Sequence, residues 1–260
     1  LRMTSSPLKR KTHEGYVDPM KDEFFSAFVF KIQANMNKAH RDRIAFMRIC
    51  SGEYDAGMEV IHVQGNKKIR LNQSTQMMAD ERKIVEHACA GDIIGVFDPG
   101  IFGIGDTLTT AGNVEFEGIP TFAPEHFARV RQVDTMKRKQ FLKGVYQIAQ
   151  EGAIQIFQEF NTGMEEIIVG VVGELQFEVL TYRLKSEYNV EVKLDRLPYE
   201  HIRWIDPSST VDIDRIQGTS DMKKIKDLKD RPLLIFIHPW SVKMVEDRNE
   251  GLVLSEFAKN

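Results

Sequence analysis

Few residues in this chain have the type and spacing that chemistry requires. Seven histidines and two cysteines are present, and His87-Ala88-Cys89 places two metal-capable side chains together. A structural zinc needs four ligands, and no second spaced pair accompanies this one, so a metal site is not expected. Cys50 and Cys89 are too few for a disulfide framework and read as small buried apolar residues. The carboxylate neighbours Asp80-Glu81 and Glu165-Glu166 would serve acid–base chemistry only by converging in a cleft, so solvated loops are the simpler expectation. No nucleophile-elbow motif singles out a Ser, His and Asp set, and no catalytic residue is assigned.

Phosphate chemistry leaves three fragments. Asp92-Ile93-Ile94-Gly95 imitates a GTPase D-x-x-G, Asn37-Lys38-Ala39-His40 imitates N-K-x-D, and Ser26-Ala27-Phe28 imitates a guanine-binding loop. Their order is wrong, and His40 stands where a carboxylate would accept the guanine N–H groups. No G-x-x-x-x-G-K-[ST] loop occurs to cradle phosphates, so nucleotide binding by this chain is not expected. The run Gly100 to Gly105 lacks the third glycine and following helix of a dinucleotide fingerprint and reads as a turn between strands.

Cation clusters remain as candidate contacts to nucleic acid. They are Lys38, His40, Arg41 and Arg43, then Lys67, Lys68 and Arg70, then Lys137, Arg138 and Lys139. Each falls on an expected loop or element end, where cations can track phosphates and arginine can bind one in bidentate fashion. The run Lys223, Lys224, Lys226 and Lys229 is interleaved with Asp221, Asp227 and Asp230 and reads as an amphipathic surface helix over 220–229, with Met222, Ile225 and Leu228 repeating every three residues. Trp240 after His238-Pro239 reads as a core or edge aromatic.

The elements that position these clusters divide the chain. Residues 1–22 show neither hydrophobic period and read as a tether. Over 23–120, Phe28, Phe30 and Ile32 alternate with Val29, Lys31 and Gln33, and a strand follows from Arg43 to Cys50. Short strands separated by turns then continue to Thr110, the spacing of an all-β barrel. Pro120 and Pro124 mark a junction. Over 121–260 the order is strand Phe127 to Val133, a helix through Phe141 to Ala149 with Asp134 as N-cap and Gly152 as stop, a hairpin through Asn161-Thr162-Gly163, a second helix and strand Val190 to Leu194. In the second helix Leu175, Val179 and Tyr182 adjoin Phe177, Leu180 and Leu184 as a broad apolar face. The β-α-β-β-α-β order is the split βαβ arrangement. A strand near Arg203 to Ile205, another at Leu233 to Ile237 and a mixed tail extend it, so the fold class is mostly β and α+β: a barrel followed by a ferredoxin-like domain with a C-terminal extension.

Composition narrows the class. The chain has 260 residues, 42% hydrophobic and 28% charged, a globular balance. No apolar run is long enough to span a membrane, and the opening residues lack the apolar core of a secretory signal, so a cytoplasmic address is expected. Net charge is −3 and no segment is a basic arm, so any RNA contact must be local.

Phe28-Val29-Phe30-Lys31-Ile32-Gln33-Ala34-Asn35-Met36 followed by His40-Arg41-Asp42-Arg43-Ile44-Ala45-Phe46-Met47-Arg48 closely resembles the bacterial peptide chain release factor three family of translational GTPases. The likeness continues through Pro120 to Glu125, Leu142-Lys143-Gly144, Gly173 to Phe177 and Arg183 to Val192, and departs at Asn37 to Ala39, where the family often has proline. The resemblance implies a translation-factor second domain followed by the family's third domain, with the GTPase domain, its GTP or GDP and its Mg absent from this chain. It implies a monomeric, non-catalytic portion of a termination factor whose partners are small-subunit rRNA and protein near the decoding region and, indirectly, the class I release factors it helps dissociate. Alternatives are the corresponding part of an elongation factor G-like protein, an oligonucleotide-binding barrel, or an independent enzyme with a cleft between its domains.

Overall fold

A computed structural model describes residues 5–34, 43–71, 75–78, 81–119, 122–160 and 166–257, with the backbone alone for 75–78 and 81–83. Two compact units divide near residue 120.

The first unit is built from strands β1 (Arg10–Thr12), β2 (Gly15–Val17), β3 (Ser26–Ala34), β4 (Arg43–Ser51), β5 (Glu53–Asp55), β6 (Glu59–His62), β7 (Lys67–Arg70), β8 (Thr75–Met78), β9 (Glu81–Ile84), β10 (His87–Cys89), β11 (Ile93–Phe97) and β12 (Thr107–Thr109). Eight of them form one antiparallel sheet in the order β7-β6-β12-β3-β4-β11-β8-β9. Val29, Met47, Val60, Ile94 and Leu108, from five different strands, meet in a single core cluster, so the sheet curls around its own inner face as a barrel.

The simple alternation expected for β3 is broken. Ala27 and Val29 face the main core and so does Ile32, because the pairing with β4 shifts register between Val29 and Lys31. Such a bulge flips the phase of a strand's two faces. Phe28 therefore turns to a second cluster with Val17, Cys50 and Phe116. This also corrects the expected tether over 1–22: β1 and β2 pair as a hairpin, and Val17 is buried in that cluster. Short polar strands without a repeating apolar period leave no signal that tertiary cover will order them.

The second unit comprises β13 (His126–Gln132), α1 (Arg138–Gln150), β14 (Gln155–Glu159), β15 (Ile167–Val171), α2 (Leu175–Tyr188), β16 (Val192–Leu197), β17 (His201–Ile205), β18 (Met222–Asp227), β19 (Pro232–Phe236), α3 (Pro239–Arg248) and β20 (Leu254–Ser255). The sheet order is β16-β13-β15-β14-β18-β19-β17-β20, antiparallel throughout, and its first four strands are the split βαβ core. β15 shows why its sequence is apolar at every position. Ile167, Val169 and Val171 lie under α1 and α2, whereas Ile168 faces Ile202, Trp204, Ile225, Leu233 and Ile235 on the opposite side. The added strands fold back and bury the sheet's second face, and α3 seats Val242 and Val245 on Leu234 and Phe236.

The expected helix over 220–229 is a strand, β18, hydrogen-bonded to β14 and β19 on its two sides. Ile225 is buried, and two flanking strands outweigh a three-residue repeat of only three apolar side chains. Within the tail the structure adds α3, whose start is set by Pro239 in the first helical turn. Asp134 does cap: its carboxylate accepts the Met136 N–H at the short 3-10 turn leading into α1. Gly152, with φ +78°, follows the end of α1. Asn161 to Gly163 lie outside the described residues.

Candidate nucleic-acid interface

The cation clusters meet three different fates. Lys38, His40 and Arg41 lie outside the described residues. Arg43, expected as an exposed contact, is the first residue of β4 and is buried. Its Nε donates to Asp98 Oδ2 at 2.5 Å and its Nη2 to the Phe102 carbonyl at 3.0 Å. A guanidinium committed in this way holds the fold together and does not present itself to phosphate.

Lys67, Lys68 and Arg70 lie on β7, the end strand of the barrel sheet, and all three are exposed. Among the described residues their side chains make no ion pair. Charged side chains on a sheet edge discourage pairing with another copy, and they also give an anion a landing strip.

Lys137 ends the short 3-10 turn, and Arg138 and Lys139 begin α1. Lys137 is occupied: its Nζ donates to the Asn189 carbonyl at 2.7 Å. Asn189 has left-handed φ and ψ and closes α2, so this cation serves the negative end of that helix. Lys139 is exposed, and Lys143 four residues on is exposed too, which extends the cluster along one face of α1. Sequence reading passed over Lys143 although the i, i+4 spacing was visible.

Other candidates resolve as structure. Lys223 pairs with Glu159 at 3.0 Å and Lys226 with Asp230 at 2.7 Å. Glu166, assigned to a solvated loop, pairs with Arg129 at 2.9 Å. Asp80 lies outside the described residues. Trp240 is exposed, stacked on His238 with ring centroids 5.8 Å apart, rather than placed in a core. The broad face expected on α2 is split: Phe177, Leu180 and Leu184 are buried, while Leu175, Val179 and Tyr182 face outward. The cysteines divide likewise. Burial pushes the Cys50 thiol up to about 11. Cys89, expected to be buried, is exposed, and a hydrogen bond to the Asp92 carboxylate raises its pKa.

Among the described residues no group of three or more His, Cys, Asp or Glu side chains forms a metal cluster, and no helix is long and apolar enough to cross a membrane. The Gly100 to Gly105 run forms the connection between β11 and β12, as a turn-rich segment should.

The chain thus joins a curled antiparallel barrel to a split βαβ domain, with cations on exposed elements of each. The sequence model described as elongation factor G domain 2 matches residues 24–111, and that described as class II release factor RF3, C-terminal domain, matches residues 116–246. The chain belongs to the class II release factor RF3 family. Curated relatives named peptide chain release factor 3 include one from Symbiobacterium thermophilum, 53% identical over 100% of this chain and 48% of its own length. One from Gloeobacter violaceus is 43% identical over 99% and 48%, and one from Listeria welshimeri 45% identical over 96% and 47%. The chain thus spans about half the length of these relatives. A crystal structure of a protein from Thermus thermophilus shares the fold, with a TM-score of 0.57 and 19% identity over 82% of this chain and 32% of that one.

Proposed function

We propose that this chain is the ribosome-engaging, non-catalytic portion of a translation-termination GTPase that promotes dissociation of stop-codon-reading release factors after peptide release. The observation that carries this reading is the order of the two family matches, an elongation-factor barrel followed directly by the release-factor C-terminal domain. The second match favours a termination factor over an elongation factor G-like protein. In this reading GTP, GDP and Mg bind to a part of the full-length factor that the chain does not span, and the work is done in the cytoplasm by a monomer.

Lys67 and Lys68 on the barrel edge and Lys139 on α1 are the outward cations that suit rRNA phosphates. Lys137 and Arg138 stand beside the last of these, and Arg43 acts from within by holding the barrel. The test is co-sedimentation with bacterial 70S ribosomes and isolated small subunits at low and near-physiological salt. Saturable binding is expected, weakening as salt rises. Changing Lys67, Lys68 and Lys139 together to Gln should weaken it and flatten the salt dependence by about two in log–log slope, since each phosphate no longer neutralised removes roughly 0.7. Binding that ignores both salt and these changes would sink the assignment of the surface.

A further inference from the structure

A cavity of about 510 Å³ opens on the barrel unit beside β7. One wall is Ile69, Arg70 and Leu71. Ile69 and Leu71 turn to the barrel core from one face of this stretch, and Arg70 stands between them and is exposed. β7 pairs with β6 alone among the described residues, so its other side carries no sheet partner there.

The opposite wall comes from the end of β11 and the segment after it. Asp98, itself buried, holds that segment: its Oδ1 accepts the N–H groups of Gly100, Ile101 and Phe102 at 2.8, 2.9 and 3.3 Å, while Oδ2 receives Arg43. The wall is therefore preorganised. Leu71, Val96 and Phe102 are buried, whereas Phe97 and Ile101 at the mouth are 51% and 43% exposed.

Among the described residues Arg70 is the one lining residue whose side chain can form hydrogen bonds. A nucleobase placed there would meet Arg70 and the outward main-chain groups of β7 along one side only, and its remaining polar edges would face apolar side chains. An aliphatic or aromatic side chain has no such edges to satisfy. The cationic edge calls for negative charge beside that side chain.

We propose that the edge of β7 that pairs with no described strand, together with this cavity, docks an extended, acidic segment of a protein partner. Its backbone adds to the edge of β7, one apolar side chain enters the cavity, and a neighbouring carboxylate meets Arg70. Strand addition of this kind takes affinity from main-chain pairing and specificity from a side-chain pocket. Nothing in it depends on ribosome binding, and Lys67 and Lys68 remain available to phosphate.

The test uses the whole chain and a fluorescein-labelled acetylated peptide, EDVFVDE, read by anisotropy. Saturable binding with Kd on the order of 10–100 μM is expected for a short segment. Replacing the peptide's phenylalanine with alanine, or Ile101→Lys in the protein, should weaken binding by about tenfold or more. Arg70→Glu should cost roughly five- to tenfold and reduce the salt dependence. N-methylation of alternate peptide amides should remove binding. Circular dichroism confirms that the variants fold, since both altered side chains are exposed. No binding at about 1 mM peptide, or binding indifferent to Ile101→Lys, overturns the proposal. So does a uridine oligonucleotide that binds tighter than the peptide and shows the same sensitivity to Ile101→Lys, because the cavity would then be a base pocket.

Discussion

Arg43 and the Lys67 to Arg70 run belong to the same barrel and look alike as cations in sequence, yet one is sealed inside and the others stand free on an edge. Arg43 begins β4 beside the Asp98 segment, and its charge is answered at 2.5 Å. Strand β7 pairs with β6 alone among the described residues, and Lys67, Lys68 and Arg70 are exposed and make no ion pair there. Charge therefore reports function only after topology has said which cations are spoken for. Lys137 stands between the two, partly exposed but spent on the carbonyl of Asn189, the residue that closes α2.

The largest way to break this comparison is Asp98→Ala. It leaves Arg43 buried without its carboxylate and three amides without their acceptor, and should cost about 3–5 kcal/mol in urea unfolding of the barrel. A loss below about 1 kcal/mol would mean that the pair is solvated and that Arg43 belongs with the exposed cations after all. Next comes Lys137→Ala, which removes a hydrogen bond and a favourable charge from the end of α2. A loss of about 0.5–1 kcal/mol is expected, seen as faster amide exchange around Leu184 to Val190. Smallest is the pair Lys67→Gln and Lys68→Gln, which should leave stability within about 0.5 kcal/mol while altering anion binding. A large destabilisation there would assign these lysines to the fold and remove them from any interface.

Much of the architecture was legible because it rests on local periods. The strand–helix–strand order from Phe127 to Leu194 follows from switches between two-residue and 3.6-residue spacing, and the sheet order agrees with the split βαβ motif inferred from it. The turn at Gly100 to Gly105 follows from glycine content in the same way. Misreadings fall where distant residues decide. A three-residue apolar repeat at Met222, Ile225 and Leu228 suits a helix in isolation, but two flanking strands claim its backbone. Leu175, Val179 and Tyr182 share a helix with Phe177 and Leu180, yet the packed face of α2 is narrower than its apolar arc. Sequence reading also passed over the cavity, because Ile69 to Leu71 and Val96 to Phe102 are brought together only by the curl of the sheet.

By itself the sequence determined the barrel and split βαβ classes and, through the motif run from Phe28 to Arg48, the family. Each of these is written in residue types and spacings along the chain. Only the tertiary structure decided which cations are free, which aromatics are covered, and that the first hairpin belongs to the barrel. Those outcomes depend on burial and on partners far away in sequence, and the free energy of a charge or an apolar side chain is set by what finally surrounds it.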